Sequence, residues 1–258
     1  MNLNGIVISV IIPALNEEKT IMAAIDNALS DFKELGLAGE IIVVNDGSTD
    51  STPTLIKRKS EENPDIVKIV NHDVCKGIGT SFWDGVDMAK GDVVFMSPAD
   101  NENDIKEILR YVHLFNDVDV IIPFCFNKEA RTLLRNIISL IYIIIVNSTF
   151  RINLHYTNGT IIYRTRLLRE LGHRRKGFFF QTDIIVRLIR RRYLFAEVPY
   201  ELKLRHEGIS KALTWFSLYE VVKGYLNLCK DIYLIKTEKN KKICAESVTF
   251  KRRRISKC

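Results

Sequence analysis

Two stretches decide the fold: IVISVIIPALNEE at residues 6–18 and EIIVVNDGSTDST at residues 40–52. Each opens with an apolar, β-branched run, over residues 6–12 and 40–45, and then passes into polar turn residues. Such a pattern predicts a buried strand followed by a loop. The pattern recurs along the first half of the chain, with helical spacing of apolar residues between the runs. This alternation predicts an α/β fold with a mostly parallel sheet and helices on both faces.

The remaining elements are predicted from the same two periodicities. Further strands are expected at 66–70, 92–97, 119–122, 160–164 and 194–198. Helices are expected at 17–35, 52–60, 79–89, 104–115, 131–150, 182–192 and 212–235. Proline is expected to end the first strand after residue 12 and the last strand after residue 198. The segment after Lys236 combines low hydrophobicity with little periodicity, so we expect it to be mobile.

The loops after the strands carry the residues that could take part in binding or catalysis, because ligands of parallel sheets bind beyond the carboxyl ends of the strands. These residues are Asp46, Lys76, Gly77, Asp100 and Glu102. One loop offers a carboxylate to a nucleobase edge, and another offers a lysine and a glycine to phosphates. A third offers two carboxylates, which suit a divalent cation that bridges phosphate oxygens. Each residue alone is common in turns or caps, but their order on one sheet edge predicts a shared site.

Composition indicates a globular protein with an anionic partner. The 258 residues are 47% hydrophobic and 27% charged, which excludes a disordered or collagen-like chain. Five cysteines without a CxxC pair favour reduced thiols over a disulfide framework or a zinc ribbon. The net charge of +7 is uneven: residues 1–162 carry −8, residues 163–206 carry +8 and residues 236–258 carry +7. This asymmetry favours a phosphate, a nucleic acid or a membrane surface as the partner of the later half.

The sequence gives no indication of a membrane-spanning segment. Its longest apolar run, IISLIYIIIV at residues 137–146, has ten residues, whereas a bilayer requires about 20. The first residues lack a basic segment followed by a short apolar run, so no signal peptide is expected. We therefore expect a cytoplasmic protein that does not cross a membrane by itself.

Four motifs occur in an order that resembles one family. They are SVIIPALNEE (9–18), EIIVVNDGSTDST (40–52), KGIGTSFWDGVDMAKGD (76–92) and FMSPADNEND (95–104). These motifs resemble the donor half of family 2 glycosyltransferases, which have the GT-A fold. The segments TNGTIIYR (157–164) and 178–211 are similar to those of polyprenyl-phosphate glycosyltransferases of the dolichol-phosphate mannosyltransferase type. The resemblance covers about residues 8–211.

That resemblance implies a donor site of seven residues. They are Pro13, Ala14, Asn16, Glu17, Asp46, Lys76 and Gly77. The first four would line the nucleoside pocket, Asp46 would recognise the base, and Lys76 would lie near the diphosphate. Where the family usually has Asp-x-Asp, this chain has Pro98-Ala99-Asp100. We expect Asp100 and Glu102 to hold Mg²⁺ or Mn²⁺ together. The alternative is that Glu102 is a first-turn acid favoured by the helix dipole.

The resemblance also implies an acceptor site. Its residues are Arg131, Arg135, Ser139, Gln181, Arg205, Ser210 and Lys211. Arg135 and Arg205 are also expected to act in catalysis, because a planar guanidinium binds phosphate in bidentate fashion. Asp183 would be the general base if the acceptor were a sugar hydroxyl. Residues 174–176 are either a mobile acceptor loop or merely exposed, and residues 190–192 are expected to form a solvated helix end.

The expected activity is inverting transfer from a nucleotide-sugar to a polyprenyl phosphate such as dolichyl or undecaprenyl phosphate. One domain, 1–211, would divide into a donor half, 1–125, and an acceptor half, 126–211. Two alternatives stay open: a transferase acting on a sugar hydroxyl of an envelope or lipid-linked glycan, and a nucleotide-sugar-binding protein without turnover.

The end of the chain favours peripheral contact with a membrane. The amphipathic helix at 212–235 carries aromatic residues suited to a headgroup boundary, and the basic tail at 236–258 suits an anionic surface. The alternative is a helix packed on the core and a tail that only improves solubility. An integral-membrane partner is a further option, and no nucleic-acid partner is expected.

Overall fold

The structure is a computed structural model that describes residues 5–100, 104–127, 133–201, 215–238 and 241–255. Its strands are β1 (Ile8–Ala14), β2 (Gly39–Asp46), β3 (Val67–His72), β4 (Val93–Met96), β5 (Val120–Cys125), β6 (Ile162–Arg164) and β7 (Phe195–Tyr200). Its α-helices are α1 (Ile21–Leu35), α2 (Thr52–Glu62), α3 (Ile78–Met88), α4 (Ile105–Leu109), α5 (Leu133–Phe150), α6 (Thr165–Arg169), α7 (Phe180–Arg190), α8 (Trp215–Cys229) and α9 (Val248–Ile255). A 3-10 helix, Val112–Asn116, follows α4, and a π-helix, Lys230–Ile235, continues α8.

The described strands form one seven-stranded sheet in the order β3-β2-β1-β4-β6-β5-β7. β1 pairs in parallel with β2 and β4, and β2 pairs in parallel with β3. β6 is antiparallel to both β4 and β5, whereas β5 and β7 are parallel. The expected α/β architecture with a mostly parallel sheet is therefore confirmed. The carboxyl ends of β1 to β4 meet at one edge of this sheet.

Helices cover both faces of the sheet, which explains why its central strands are continuously apolar. Ile11 of β1 belongs to a buried cluster with Phe82 of α3. Its neighbour Ile12 points to the other face and belongs to a cluster with Ile21 of α1. The first cluster also includes side chains of α5, α7 and α8, and the second includes side chains of α2 and α4.

The prolines do not end their strands as predicted. Pro13 lies within β1 and pairs with β2, but the pairing of β1 with β4 stops at Ile11 opposite Met96. Pro13 therefore has a neighbouring strand on one side only. Pro199 lies within β7, which is one of the two edge strands of the described sheet. In both places the proline is paired with a strand on one side only, so its missing N–H group interrupts no hydrogen bonding on the other side.

The helix expected at 104–115 consists of two short pieces. Asp104 begins α4, and its side chain accepts hydrogen bonds from the N–H groups of Lys106 at 3.1 Å and Glu107 at 3.4 Å. The 3-10 helix that follows places Val112 and Phe115, three residues apart, on one side of a turn. Both side chains are buried there. Helical spacing in the sequence predicts the buried positions but not the change in helix type.

The expected helix at 212–235 corresponds to α8 and the π-helix, and it has two different faces. On one face, Leu228 and Ile232 are buried, and Tyr225 lies 2.7 Å from the Thr149 hydroxyl. On the other face four side chains are exposed, namely Leu218, Tyr219, Val222 and Leu226. Packing on the core and an open apolar surface thus coexist on one helix. Within the described residues, no helix is both long and apolar enough to span a membrane.

The described part of the basic tail is packed on the domain, which corrects the expectation that it is mobile. The N–H groups of Val248 and Thr249, which begin α9, donate to the carboxylate of Asp119 at 3.0 and 2.9 Å. Asp119 also accepts a hydrogen bond from Arg164 Nε at 3.2 Å. Thr249 and Cys244 are buried. Tail composition could not reveal this anchor, because the partner lies 129 residues earlier in the chain.

We expect Asp119→Ala to lower the free energy of unfolding by about 3 kcal/mol, because it removes the cap of α9 and leaves Arg164 without its carboxylate. Asp117→Ala is the matched control, since Asp117 is exposed and pairs with Arg252 on the same helix. Urea unfolding measures the stability, and hydrogen exchange measures the opening of α9. Equal effects of the two substitutions would contradict the anchoring role of Asp119.

Candidate active site at the carboxyl edge of the sheet

The loops after β1 and β2 are hydrogen-bonded to each other. Asn16, whose φ of 55° lies in the left-handed region, donates its N–H to Ser48 Oγ at 3.0 Å. Its side-chain oxygen accepts from the N–H of Thr49 at 2.8 Å. The N–H of Glu17 donates to Thr52 Oγ1 at 2.9 Å. The predicted nucleoside-pocket residues therefore form the rim of the edge, together with half-buried Pro13 and buried Ala14.

Asp46 organises the next loop with both oxygens of its carboxylate. His72 Nδ1 lies 2.7 Å from Oδ1, which also accepts from the N–H of Lys76 at 2.8 Å. The other oxygen, Oδ2, accepts from the N–H of Gly77 at 2.9 Å and from Cys75 Sγ at 3.2 Å. A carboxylate has about four lone-pair sites, and all four are used. A nucleobase could bind this carboxylate only by replacing one of these partners.

These contacts decide the charge of Asp46. Burial by itself would raise the pKa of this carboxyl, but the hydrogen bonds from His72, Lys76, Cys75 and Gly77 outweigh it and lower the pKa. The group is thus a fixed anion that holds loop 73–77. His72 is a residue of this site that was not predicted from the sequence, although its position as the last residue of β3 places it at this edge.

Two glycines permit the turns that bring these loops together. Gly47 has a φ of 74°, and a Cβ there would lie 2.7 Å from the backbone of Val74 and Cys75. Gly77 has a φ of 89° and immediately precedes α3. Both positions are therefore suited to glycine and disfavour a larger residue. Lys76 directly precedes Gly77 in loop 73–77, and its side chain is exposed.

The basic loop 172–179 lies over the start of α3 and is held there. A Cβ on Gly79 would collide with the carbonyl oxygen of Lys176. Trp83 donates its indole N–H to the carbonyl oxygen of Arg175 at 3.0 Å. The guanidinium of Arg174 stacks 5.1 Å from the centre of the Trp83 ring. The segment at 174–176 is thus fixed by contacts with the donor half.

Loop 157–159 and the first turn of α7 are hydrogen-bonded to each other. Gln181 donates from Nε2 to the carbonyl oxygen of Gly159 at 2.7 Å. Thr182 Oγ1 donates to Asn158 Oδ1 at 3.0 Å and lies 2.6 Å from the hydroxyl of Tyr142. Burial raises the pKa of Tyr142 to about 12, so this hydroxyl is neutral. The amide nitrogen of Gln181, a predicted acceptor ligand, is thus used to position loop 157–159.

Asp183 lies in a buried ionic network. Its oxygens accept from Arg187 at 2.8 and 3.3 Å and from Arg175 at 3.0 Å. Arg187 in turn donates to Asp231 at 2.5 Å and to Glu238 at 2.8 Å. Burial alone would lower the pKa of Arg187, but these carboxylates raise it above its ordinary value. The expected solvated helix end at 190–192 is corrected at Arg191 alone, which is buried and pairs with Glu238 at 2.5 Å, whereas Arg190 and Arg192 are exposed.

The predicted acceptor residue Ser139 lines a cavity of about 430 Å³. The walls come from the end of β5, the first turns of α5 and the segment around His155. Arg135 is half-buried one turn earlier on α5. The other predicted acceptor residues, Arg131, Arg205, Ser210 and Lys211, lie outside the described residues, as does Glu102.

The fit to a divalent cation rests on Asp100, the half-buried carboxylate that follows β4 at the same edge. No group of three or more potential metal ligands occurs in the described ranges. Magnesium in nucleotide sites is commonly held by one or two carboxylates together with substrate phosphates and water. A single Asp100, with Glu102 as the second ligand expected from the sequence, fits such a shared site.

Comparisons with known proteins give the family of this chain. A profile described as "Glycosyl transferase family 2" matches residues 9–172. The chain belongs to glycosyl transferase family 2. A dolichyl-phosphate beta-glucosyltransferase of Trichomonas vaginalis is 31% identical over 149 residues, which are 53% of this chain and 46% of that protein. The undecaprenyl-phosphate 4-deoxy-4-formamido-L-arabinose transferase of Yersinia pestis is 27% identical over 170 residues, 64% of this chain and 51% of that protein.

The chain thus spans about half the length of these curated relatives. Among solved structures, glucosyl-3-phosphoglycerate synthase of Mycobacterium tuberculosis, in complex with Mn²⁺, UDP and phosphoglyceric acid, has a TM-score of 0.66. The match covers 87% of this chain and 79% of that one at 21% identity. It confirms the expected GT-A fold. The resemblance to polyprenyl-phosphate glycosyltransferases is confirmed by the curated relatives.

We expect Asp46→Asn to destabilise the chain by about 2 kcal/mol at neutral pH, because an amide replaces two acceptor sites with donors that face other donors. Asp73→Asn is the control, since Asp73 is an exposed carboxylate in the same loop. A carboxyl with a lowered pKa contributes stability above its ordinary value of 3.8 and loses it as the pH falls toward the lowered value. The difference between the parent chain and Asp46→Asn should therefore narrow in acid. Urea unfolding at neutral and acidic pH tests this, and a difference independent of pH would contradict it.

Proposed function

We propose that this chain transfers a glycosyl group from a nucleotide-sugar to a polyprenyl phosphate, with inversion, at the cytoplasmic face of a membrane. Membership of glycosyl transferase family 2 supports transfer. The relatives named for dolichyl-phosphate and undecaprenyl-phosphate chemistry support the acceptor class. In this proposal the loops of residues 1–125 bind the donor, and residues 126–211 bind the acceptor.

The observation that carries the choice of acceptor is the environment of Asp183. A sugar hydroxyl needs a base to take its proton, whereas a phosphate is already anionic at neutral pH and attacks without one. Asp183 is only 1% exposed, and its carboxylate is occupied by Arg175 and Arg187. Both oxygens of this carboxylate already accept hydrogen bonds from guanidinium groups, so neither is open to the hydroxyl of an acceptor. This arrangement favours a phosphate over the hydroxyl of a glycan.

The chain's own residues then have to position two anionic substrates, the nucleotide-sugar and the polyprenyl phosphate. They also have to stabilise the departing nucleoside diphosphate. In a single displacement, an acceptor phosphate oxygen forms the new bond to the sugar carbon while the bond to the nucleoside diphosphate breaks. Negative charge grows on the departing diphosphate, and a fixed cation nearby stabilises it. We assign this role to Lys76, whose side chain is exposed beside the Asp46 loop. Mg²⁺ or Mn²⁺, held by Asp100 and Glu102, would supply further positive charge when bound. Arg135 would hold the acceptor phosphate.

The approach of a lipid acceptor is supported by the surface of α5. Seven apolar side chains of this helix are between 43% and 77% exposed: Leu133, Ile137, Ile138, Leu140, Ile141, Ile144 and Ile145. Soluble proteins rarely leave so many neighbouring apolar residues in water. These seven side chains form the apolar row of α5. The row borders the cavity at Ser139, which Ile137 and Leu140 also line. We propose that this row contacts the membrane and that the acceptor's phosphate enters from it.

A transfer assay tests the proposal directly. Incubation with polyprenyl phosphate and a panel of radiolabelled nucleotide-sugars should move one label into the organic phase, and EDTA should suppress this transfer. Asp100→Asn should abolish the metal-stimulated rate because it removes the described carboxylate of the metal site. Asp104→Asn is the control, since asparagine caps a helix as well as aspartate does. Transfer that survives EDTA unchanged, with a normal rate in Asp100→Asn, would refute the metal assignment.

Arg135→Gln should weaken use of the lipid phosphate by roughly 30-fold to several thousand-fold, since losing one partner of a charged pair costs about 2–5 kcal/mol. Donor binding should change little. Arg110→Gln removes an exposed arginine elsewhere and serves as the control.

Asp183→Asn should retain most of its turnover per folded molecule. A loss of several orders of magnitude in Asp183→Asn, with intact binding of donor and acceptor, would instead favour the hydroxyl acceptor.

A further inference from the structure

A second cavity, of about 820 Å³, lies away from the carboxyl edge, and half of its lining residues are cations. Its basic side chains come from Arg151, Arg190, Arg191, Arg192, Lys236 and Lys241. The volume falls within the range of pockets that hold small ligands. The acid in its lining, Glu238, is already paired with Arg187 at 2.8 Å and with Arg191 at 2.5 Å. The cavity is therefore electropositive.

Three helices end at this cavity, and each ends in the same unusual way. Arg151 follows α5, Arg192 follows α7 by one residue and Lys236 follows the π-helix. Their φ angles of 53°, 63° and 59° lie in the left-handed region. Glycine adopts this conformation without strain and is the usual residue there. The chain instead places a long cation at each end, where its exposed side chain reaches the cavity.

Compensation of helix dipoles does not account for this much charge. Each helix C-terminus carries about half a negative charge, so three of them offset fewer than two of the six cations. Among the described residues, no carboxylate forms an ion pair with Arg151, Arg192 or Lys236. Cations brought this close together repel one another in the absence of an anion. The arrangement is complementary to a phosphate-bearing ligand.

The surroundings of the cavity identify the source of that phosphate. Tyr233 lines the cavity, and the next two residues of the π-helix, Leu234 and Ile235, are 76% and 57% exposed. An apolar surface at the rim of a basic cavity fits a molecule with an anionic head and apolar chains. We propose that this cavity binds the phosphate headgroup of an anionic membrane phospholipid, at a site separate from the one that binds the acceptor.

The test uses a variant in which all three helix ends become glycine: Arg151→Gly, Arg192→Gly and Lys236→Gly. Because glycine suits each backbone conformation, the variant should fold, and thermal unfolding checks this. The control, with Lys33→Gln, Lys57→Gln and Arg58→Gln, removes the same charge from α1 and α2 on the opposite face of the sheet. Binding is measured by co-sedimentation with vesicles of phosphatidylcholine, with and without phosphatidylglycerol.

A cation beside an anionic surface contributes about a factor of five to binding, so the glycine variant should lose about a hundredfold in affinity for the phosphatidylglycerol vesicles. The control should lose far less. A loss in the glycine variant no greater than in the control would overturn the proposal. Binding of soluble glycerol phosphate that disappears in the glycine variant, without vesicle binding by the parent chain, would overturn the lipid source. The vesicles contain neither donor nor polyprenyl phosphate, so the outcome is independent of the transfer assay.

Discussion

The second half of the molecule depends on one buried guanidinium, that of Arg187. All five of its N–H donors are used: they donate to both oxygens of Asp183, to Asp231, to Glu238 and to the hydroxyl of Thr237. A buried charge is tolerable only when it is paired this completely. These partners lie on α7, on the π-helix and in the segment after it. One side chain therefore joins three segments that share no strand pairing.

The consequences reach both ends of α7. At its beginning, Asp183 also holds Arg175, whose carbonyl oxygen accepts from Trp83 of the donor half. At its end, Glu238 holds Arg191, which keeps the basic cavity at the ends of α5, α7 and the π-helix together. The same network thus fixes the loop over the donor site and the electropositive cavity. Removing any one member would leave an uncompensated charge in the interior.

The sequence predicted what depends on nearest neighbours and periodicity. The apolar runs before Asp46 and Asp100 are strands, and their loops meet at one edge because parallel strands align their carboxyl ends. It did not predict the antiparallel position of β6, which depends on how β4 and β5 approach each other. The anchoring of α9 by Asp119 was missed for a similar reason, since a polar contact across 129 residues leaves no periodic signal.

The predicted site residues also divide into features that the local sequence reveals and features that depend on long-range contacts. Residue type and order correctly placed Asp46, Lys76 and Asp100 at one edge, but they could not tell a carboxylate that faces a ligand from one that holds a loop. Asp46 and Asp183 were both assigned chemical roles, and both are occupied by donors of the protein itself. That distinction depends on the number of donors around each oxygen, which only the three-dimensional arrangement supplies.

α5 connects the acceptor cavity with the basic cavity. Its 18 residues span about 27 Å, with Ser139 near the beginning and Arg151 directly after the end. The exposed apolar row extends over residues 133–145 of the helix. A flat apolar phase that covers this row lies along the helix whose two ends border the two cavities. We infer that a lipid phosphate at the basic cavity would fix the orientation of α5 on the membrane. An acceptor could then reach Arg135 without leaving the bilayer surface.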